Sequence, residues 1–153
     1  MGHVRMTAHV DVAPEQVFAF AVDAERTPEY HTSIVEVKDV SGPLDTVGAG
    51  YTAAMKIAGR VYEGRWEVTR VEKPRVVEMT GTMPGGGTAT LIQRFAAAAG
   101  GTDCTVEMEY ELPGGILGGL ANKLFVEGAI ERDIRHSMEN FKALLEAEVR
   151  VSA

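Results

Sequence analysis

The sequence predicts an α+β fold: a seven-stranded curved antiparallel sheet wrapped around one long C-terminal helix, with two short helices after the first strand. Three observations predict it. Segments of alternating apolar and polar residues recur along most of the chain, and short Gly- or Pro-bearing links of hairpin type join most of them. The last segment then changes to helical spacing and holds it from about Ile116 to Glu148.

The first strand is "HVRMTAHVDV", with Val4, Met6, Ala8, Val10 and Val12 on one side and His3, Arg5, Thr7, His9 and Asp11 on the other. "VAPEQVFAFAVD" starts a short helix, with Pro14 at a first helical position and Val17, Phe18, Ala21 and Val22 at helical spacing. "AERTPEYH" is a second short helix or turn interrupted by Pro28, and "SIVEVKDV" returns to a strand.

After the loop "SGPLDTVGAG", five more strands follow in "YTAAMKI", "RVYEGRWEVTRV", "RVVEMTG", "TATLIQRFAAA" and "CTVEMEYEL". Their inward sets are Tyr51, Ala53, Met55 and Ile57; Tyr62, Trp66 and Val68; Val77 and Met79; Leu91, Gln93 and Phe95; and Val106, Met108 and Tyr110. The outward sets, such as Glu63, Arg65 and Glu67 or Glu107, Glu109 and Glu111, are charged. One face of the sheet is therefore dry and the other wet. The final helix carries an apolar arc of Ile116, Leu120, Leu124, Ile134, Met138, Phe141 and Leu145.

That arc contains an anomaly. At about 100° per residue, Glu127 and Glu131 point within about 20° of the direction shared by Leu120 and Met138. Carboxylates at the centre of a core-facing stripe are costly in a solid core and acceptable over a partly wet hollow. The alternative is that helix curvature sends one of them to the rim, paired with Arg135 a turn later.

Composition bounds the function. At 153 residues and 16.4 kDa the chain is about one domain long, and one domain is expected over residues 1–153. A formal charge of −7 and a pI near 5.1 argue against nucleic acid, which is held through clustered Lys and Arg. No apolar run is long enough for a transmembrane segment and no leader is evident, so a cytoplasmic protein is expected.

The single cysteine, Cys104, permits no internal disulfide and reads as an inert buried thiol. His3, His9 and His136 fall on outward phases with no metal-ligand spacing, and the Gly-rich stretches lack the Lys and Ser/Thr of a phosphate loop. No metal and no cofactor are expected.

The element order, together with "VDVAPEQVFAFAVDAERTPEYH", "WEVTRVEKPRVVEM" and "GGTDCTVEMEYELPGG", resembles the helix-grip fold of the START-like (SRPBCC) superfamily. The resemblance covers nearly the whole chain and is closest to the polyketide cyclase/dehydrase branch. It implies a deep cavity between sheet and helix for a lipid, polyketide, quinone-like or other greasy molecule. It also implies helices near Tyr30 and His31 that gate the cavity. In the aromatase/cyclase branch an arginine four residues after a tryptophan contributes to polyketide binding or cyclisation, which corresponds to Arg70 after Trp66. A tyrosine of that branch is replaced here by Ile34.

The expected pocket residues are Tyr51, Met55, Tyr62, Trp66, Met79, Gln93, Phe95, Met108, Tyr110, Leu120, Leu124, Glu127, Glu131 and Met138, with no catalytic residue among them. For each methionine and for Trp66 the plainer reading is core packing. The first expectation of function is binding of a small apolar or amphipathic ligand without turnover. The others are an aromatase/cyclase-type enzyme and an adaptor for a protein partner, the last suggested by Phe125 on the polar side of the helix; self-association as a homodimer is left open.

Overall fold

The computed structural model describes residues 2–57, 59–82, 86–111 and 120–152, and their side chains except those of 57, 120–125 and 151–152. The strands are β1 (Gly2–Val10), β2 (Ile34–Lys38), β3 (Gly50–Ile57), β4 (Arg60–Glu72), β5 (Val76–Thr82), β6 (Thr88–Ala98) and β7 (Gly101–Tyr110). The helices are α1 (Pro14–Ala21), α2 (Thr27–Tyr30) and α3 (Leu120–Ser152), with a 3-10 turn at Ala24–Arg26. The predicted helix start at Ile116 and the side chains of Leu120, Leu124, Phe125 and Ile57 lie outside the described residues. At its other end α3 runs past the predicted Glu148, because neither Gly nor Pro follows to stop it.

The sheet order is β1-β7-β6-β5-β4-β3-β2, antiparallel throughout. The hairpins make β3 to β7 a meander, and β1 returns to pair with β7. The turn from β6 to β7 places Ala99 and Gly100 at positive φ, which glycine tolerates at the second position. Irregularities occur in β2 between Ile34 and Glu36 and in β4 between Val68 and Arg70.

The second irregularity corrects the sequence reading. Trp66 and Val68 are buried, but beyond the bulge the pattern flips, so Val71 faces inward opposite Val77 while Arg70 pairs with Glu78 on the outer side. Arg70 is 55% exposed and ion-paired with Glu72. It does not share the face of Trp66.

The dry core occupies one end of the concave face. There Val17, Phe18 and Phe20 of α1, Tyr30 of α2 and Phe141 and Leu145 of α3 cover Val10, Val68, Val77, Phe95 and Cys104. Phe20, Tyr30 and Phe141 meet pairwise with ring centroids 5.0 to 5.5 Å apart, and Phe18 meets Phe95 edge-on at 6.1 Å.

Polar staples fasten α3 over this end. Asp11 donates its backbone N–H to Glu146 at 2.8 Å, and Lys142 donates to the carbonyl of His9. Arg26 binds Glu148 at 2.6 Å, and Asn140 donates to the carbonyl of Tyr30 at 3.2 Å. The partly exposed pairs contribute register more than stability.

Removing the Phe141 ring empties the centre of the aromatic trio. Phe141→Ala is expected to lower unfolding free energy by about 3 to 5 kcal/mol, measured by urea denaturation. A loss under about 1 kcal/mol would show that the three rings do not anchor α3.

Candidate functional site

Antiparallel register sorts the inward side chains into rows across the sheet. One row runs Gly2, Tyr110, Ala89, Gly81, Trp66, Tyr51. Large and small residues are juxtaposed in it for a steric reason. A Cβ at Gly81 would lie 2.3 Å from Trp66 Cδ2, and one at Gly2 would lie 2.1 Å from Tyr110 Cζ. The indole and the phenol therefore lie across neighbouring glycines, which fixes their orientation on the concave face.

Trp66 is 6% exposed, and among the described residues its Nε1–H finds no acceptor. Burial pushes the hydroxyls of Tyr51 and Tyr110 above the usual tyrosine range. For Tyr110 the Glu127 and Glu131 carboxylates add to the shift.

The next rows behave differently. Met6, Val106 and Gln93 stand side by side on β1, β7 and β6, with Leu91 two residues along from Gln93; all four face inward and all are only half-buried. Met55 and Tyr62, paired across β3 and β4, are half-buried too. On the helix, Glu127, Ile130 and Met138 are half-buried, whereas Ile134, Ser137, Phe141 and Leu145 are buried. These inward side chains of the sheet and of α3 thus keep partial exposure, unlike the fully buried core around them.

The two glutamates separate as helix geometry requires. Taking Ile134 as reference, Glu127 lies about 20° away and Glu131 about 60° away. Glu127 accordingly stays on the inner stripe, while Glu131 is 55% exposed and 3.5 Å from Arg135.

The other expected pocket residues divide. Tyr51, Trp66, Met79, Phe95, Met108 and Tyr110 are buried on the concave face. Phe95 lies under Phe18 and packs into the dry end. Met55, Tyr62, Gln93 and Met138 are half-buried. Leu120 and Leu124 fall outside the described side chains.

A separate hollow of about 470 Å³ is an open groove on the outer side of α1, lined by residues including Gln16, Phe20, Arg26, Leu145 and Glu148. It was not foreseen, because it arises where α1 and the end of α3 meet. Arg26 spans it, 4.6 Å above the Phe20 ring and tethered to Glu29 and Glu148.

The loop from α2 to β2 brings together His31, Thr32, Ser33, Asp133 and Ser137, a cluster that sequence separation concealed. Ser33 Oγ donates to Asp133 at 2.9 Å, Thr32 Oγ1 also donates to Asp133, and the Thr32 N–H donates to Ser137 at 3.0 Å. Although it contains Ser, His and Asp, the order is wrong for a nucleophile. Ser33 and Asp133 both crowd His31 Nδ1, at 3.4 and 3.9 Å, and the serine proton is already committed to the aspartate. The cluster fastens the loop to α3.

Cys104 is buried, and desolvation pushes its thiol up to about 12, so it remains protonated. On the outer face His3, Glu107 and Glu109 approach one another, but Glu107 already holds His3 at 3.0 Å, Arg94 at 3.1 Å and Arg5 at 3.7 Å. That balance leaves little negative charge for a cation.

Known proteins share this fold. A family model described as polyketide cyclase / dehydrase and lipid transport matches residues 1–146. No curated protein matches in sequence. Among solved structures, TTHA0849 from Thermus thermophilus superposes with a TM-score of 0.79 at 19% identity, covering 95% of this chain and 98% of that one. Ara h 8.0201 gives 0.72 at 13% identity over 95% and 97%. The di-domain ARO/CYC BexL from the BE-7585A biosynthetic pathway gives 0.72 at 16% identity, covering 92% of this chain and 48% of that one. These likenesses establish a shared helix-grip fold.

Two outcomes test the site's framework. Gly81→Ala is expected to displace the Trp66 ring, cost about 1 to 3 kcal/mol and shift the emission of the sole tryptophan; an unchanged spectrum and stability would contradict the contact.

The second concerns His31, whose pKa burial holds below the usual histidine value, with Asp133 partly opposing. The unfolded chain protonates as pH falls through about 6.5 while the native imidazole resists. The contribution to stability is therefore full above that pH, is lost as pH falls toward the folded value and levels off below it. His31→Asn is expected to lose less thermal stability than the parent between pH 7.5 and 5.5. Equal losses would remove His31 as the cause; His9, whose pKa Asp103 raises, titrates with the opposite sign in both proteins.

Proposed function

The chain belongs to the polyketide cyclase/dehydrase and lipid transport family, and from that premise we propose that it binds a small hydrophobic or amphipathic molecule, of lipid, polyketide or quinone-like kind, between the sheet and α3 and releases it unchanged. One observation carries this reading. Inward side chains on adjacent strands, Met6, Leu91, Gln93 and Val106, stay half-buried although Phe95 and Cys104 on one side of them and Tyr110 and Trp66 on the other are buried. A surface of Met, Leu, Val and aromatic groups with a few convergent polar atoms suits a greasy guest with one or two polar points.

The likeness to an ARO/CYC domain supports a second reading, in which the same recess folds a reactive chain and holds it for ring closure. Arg70 takes no part in that version, since it lies on the outer side of the β4 bulge. The inner groups available to it are Tyr110 and Glu127. Compounds recovered intact from protein purified under mild conditions favour binding; their conversion by the protein, abolished in Glu127→Gln, favours the enzyme.

A filling variant tests the recess itself. Val106→Phe is expected to leave stability within about 1 kcal/mol of the parent, because the ring enters open space, and to weaken binding of N-phenyl-1-naphthylamine at least about tenfold. Binding is measured by energy transfer from Trp66. A destabilisation of about 1 to 3 kcal/mol, as in a close-packed core, or failure of the parent to bind the probe, would overturn the reading.

A further inference from the structure

The sheet has two edge strands, and they differ. Among the described residues the backbone groups of β2 bond to nothing beyond β3, so its outer edge is open. The opposite edge, β1, is partly taken, since Lys142 of α3 reaches its His9 carbonyl. The outward row of β1, His3, Arg5, Thr7 and His9, also holds no carboxylate.

An open edge is a template for a further strand, and proteins guard it with bulges and charges. On β2 the guard is incomplete. A bulge between Ile34 and Glu36 and the positive φ of Asp39, 53°, confine regular backbone to Glu36, Val37 and Lys38. Beside them Val35 is 51% exposed, one of three large apolar side chains so exposed among the described residues.

The three regular residues complement their own reverse. Glu36 and Lys38 are exposed on the outer face, and the half-buried Val37 faces inward. Lys38 holds Glu63 at 2.8 Å, whereas Glu36 has no ion-pair partner among the described residues. When a strand pairs antiparallel with a copy of itself, the two-fold axis passes through one residue and sets the register. Centred on Val37, it brings the two Val37 side chains together on the inner face and sets each Glu36 opposite Lys38 of the second copy on the outer face. Centred on Glu36 or on Lys38, it sets like charges opposite each other. A slip out of phase puts an inward side chain against an outward one. One register therefore suits both the apolar and the charged side chains.

We propose that the chain self-associates as a two-fold dimer through antiparallel pairing of β2 with β2 of a second copy, centred on Val37 and held by reciprocal Glu36–Lys38 pairs. The pairing is short, so the dimer is weak and forms reversibly as concentration rises. It does not depend on what the protein binds.

Sedimentation equilibrium of the full chain at loadings up to about 1 mM measures the association. The parent is expected to rise from its monomer mass of 16.4 kDa toward twice that value, with a Kd of about 1 mM or below. Glu36→Lys and Lys38→Glu each set like charges opposite across the axis, and each is expected to weaken the dimer at least about tenfold. Mixed in equal amounts, the two variants again bring opposite charges together at both pairs, and a heterodimer of parental affinity is expected. Circular dichroism checks that each variant is folded, and recovery on mixing is something a merely damaged protein would not show.

A parent that stays monomeric to about 1 mM overturns the proposal. A dimer that both substitutions leave intact overturns it too, as do weakened variants that fail to recover when mixed. Growth past the dimer, as head-to-tail pairing of β2 with β1 of a second copy would give, overturns the two-fold arrangement.

Discussion

One helix cannot fill the concave side of seven strands. At about 4.8 Å between neighbours the sheet spans roughly 29 Å before curling, whereas a helix with its side chains is about 10 to 12 Å across. The difference must be made up by other elements or left open. Here α1, α2 and the last half of α3 make it up at one end, through Phe18, Phe20, Tyr30, Phe141 and Leu145. Next to that end Met6, Gln93 and Val106 are only half-buried, while Tyr51, Trp66 and Tyr110 farther along the strands are buried again.

The same limit accounts for Glu127. A carboxylate in a dry interior would be neutralised or expelled, because the desolvation cost far exceeds what one weak contact returns. On α3 it occupies the line of Ile134, Phe141 and Leu145 but stays half-buried where they are buried. The aromatic row answers a related problem. Wide rings on a curved face would collide if every neighbour carried a side chain, and Gly2 and Gly81 remove that collision for Tyr110 and Trp66. Orientation of the indole is therefore set by what its neighbour lacks.

Much of this was legible in the sequence, for reasons of period. Strand alternation identified the inward faces of Tyr51, Trp66, Met79 and Met108, and helical phase placed Glu127 on the inner stripe with Arg135 in reach of Glu131. Failures came wherever the deciding contact crossed the chain. Arg70 seemed aligned with Trp66 only because a bulge adds a residue without changing composition. The docking of Thr32 and Ser33 on Asp133 joins residues about a hundred positions apart, and no local pattern marks it. Gly81 beneath Trp66 is likewise a cross-strand relation, visible only once register is known.

These distinctions bear on how the fold persists while its sequences diverge. Structures sharing 13 to 19% identity with this chain superpose on it over more than nine-tenths of its length. In this chain the fold rests on a pattern: alternation in the strands, space beside large rings, and a fastened end for the long helix. The staples that fasten α3 here lie at Asp133, Ser137, Asn140, Lys142, Glu146 and Glu148, away from the turn that bears Glu127. Anchored at one end, the helix holds its place whatever lines the other. Side chains away from these staples are then free to change, because the contacts that fix the architecture do not depend on them.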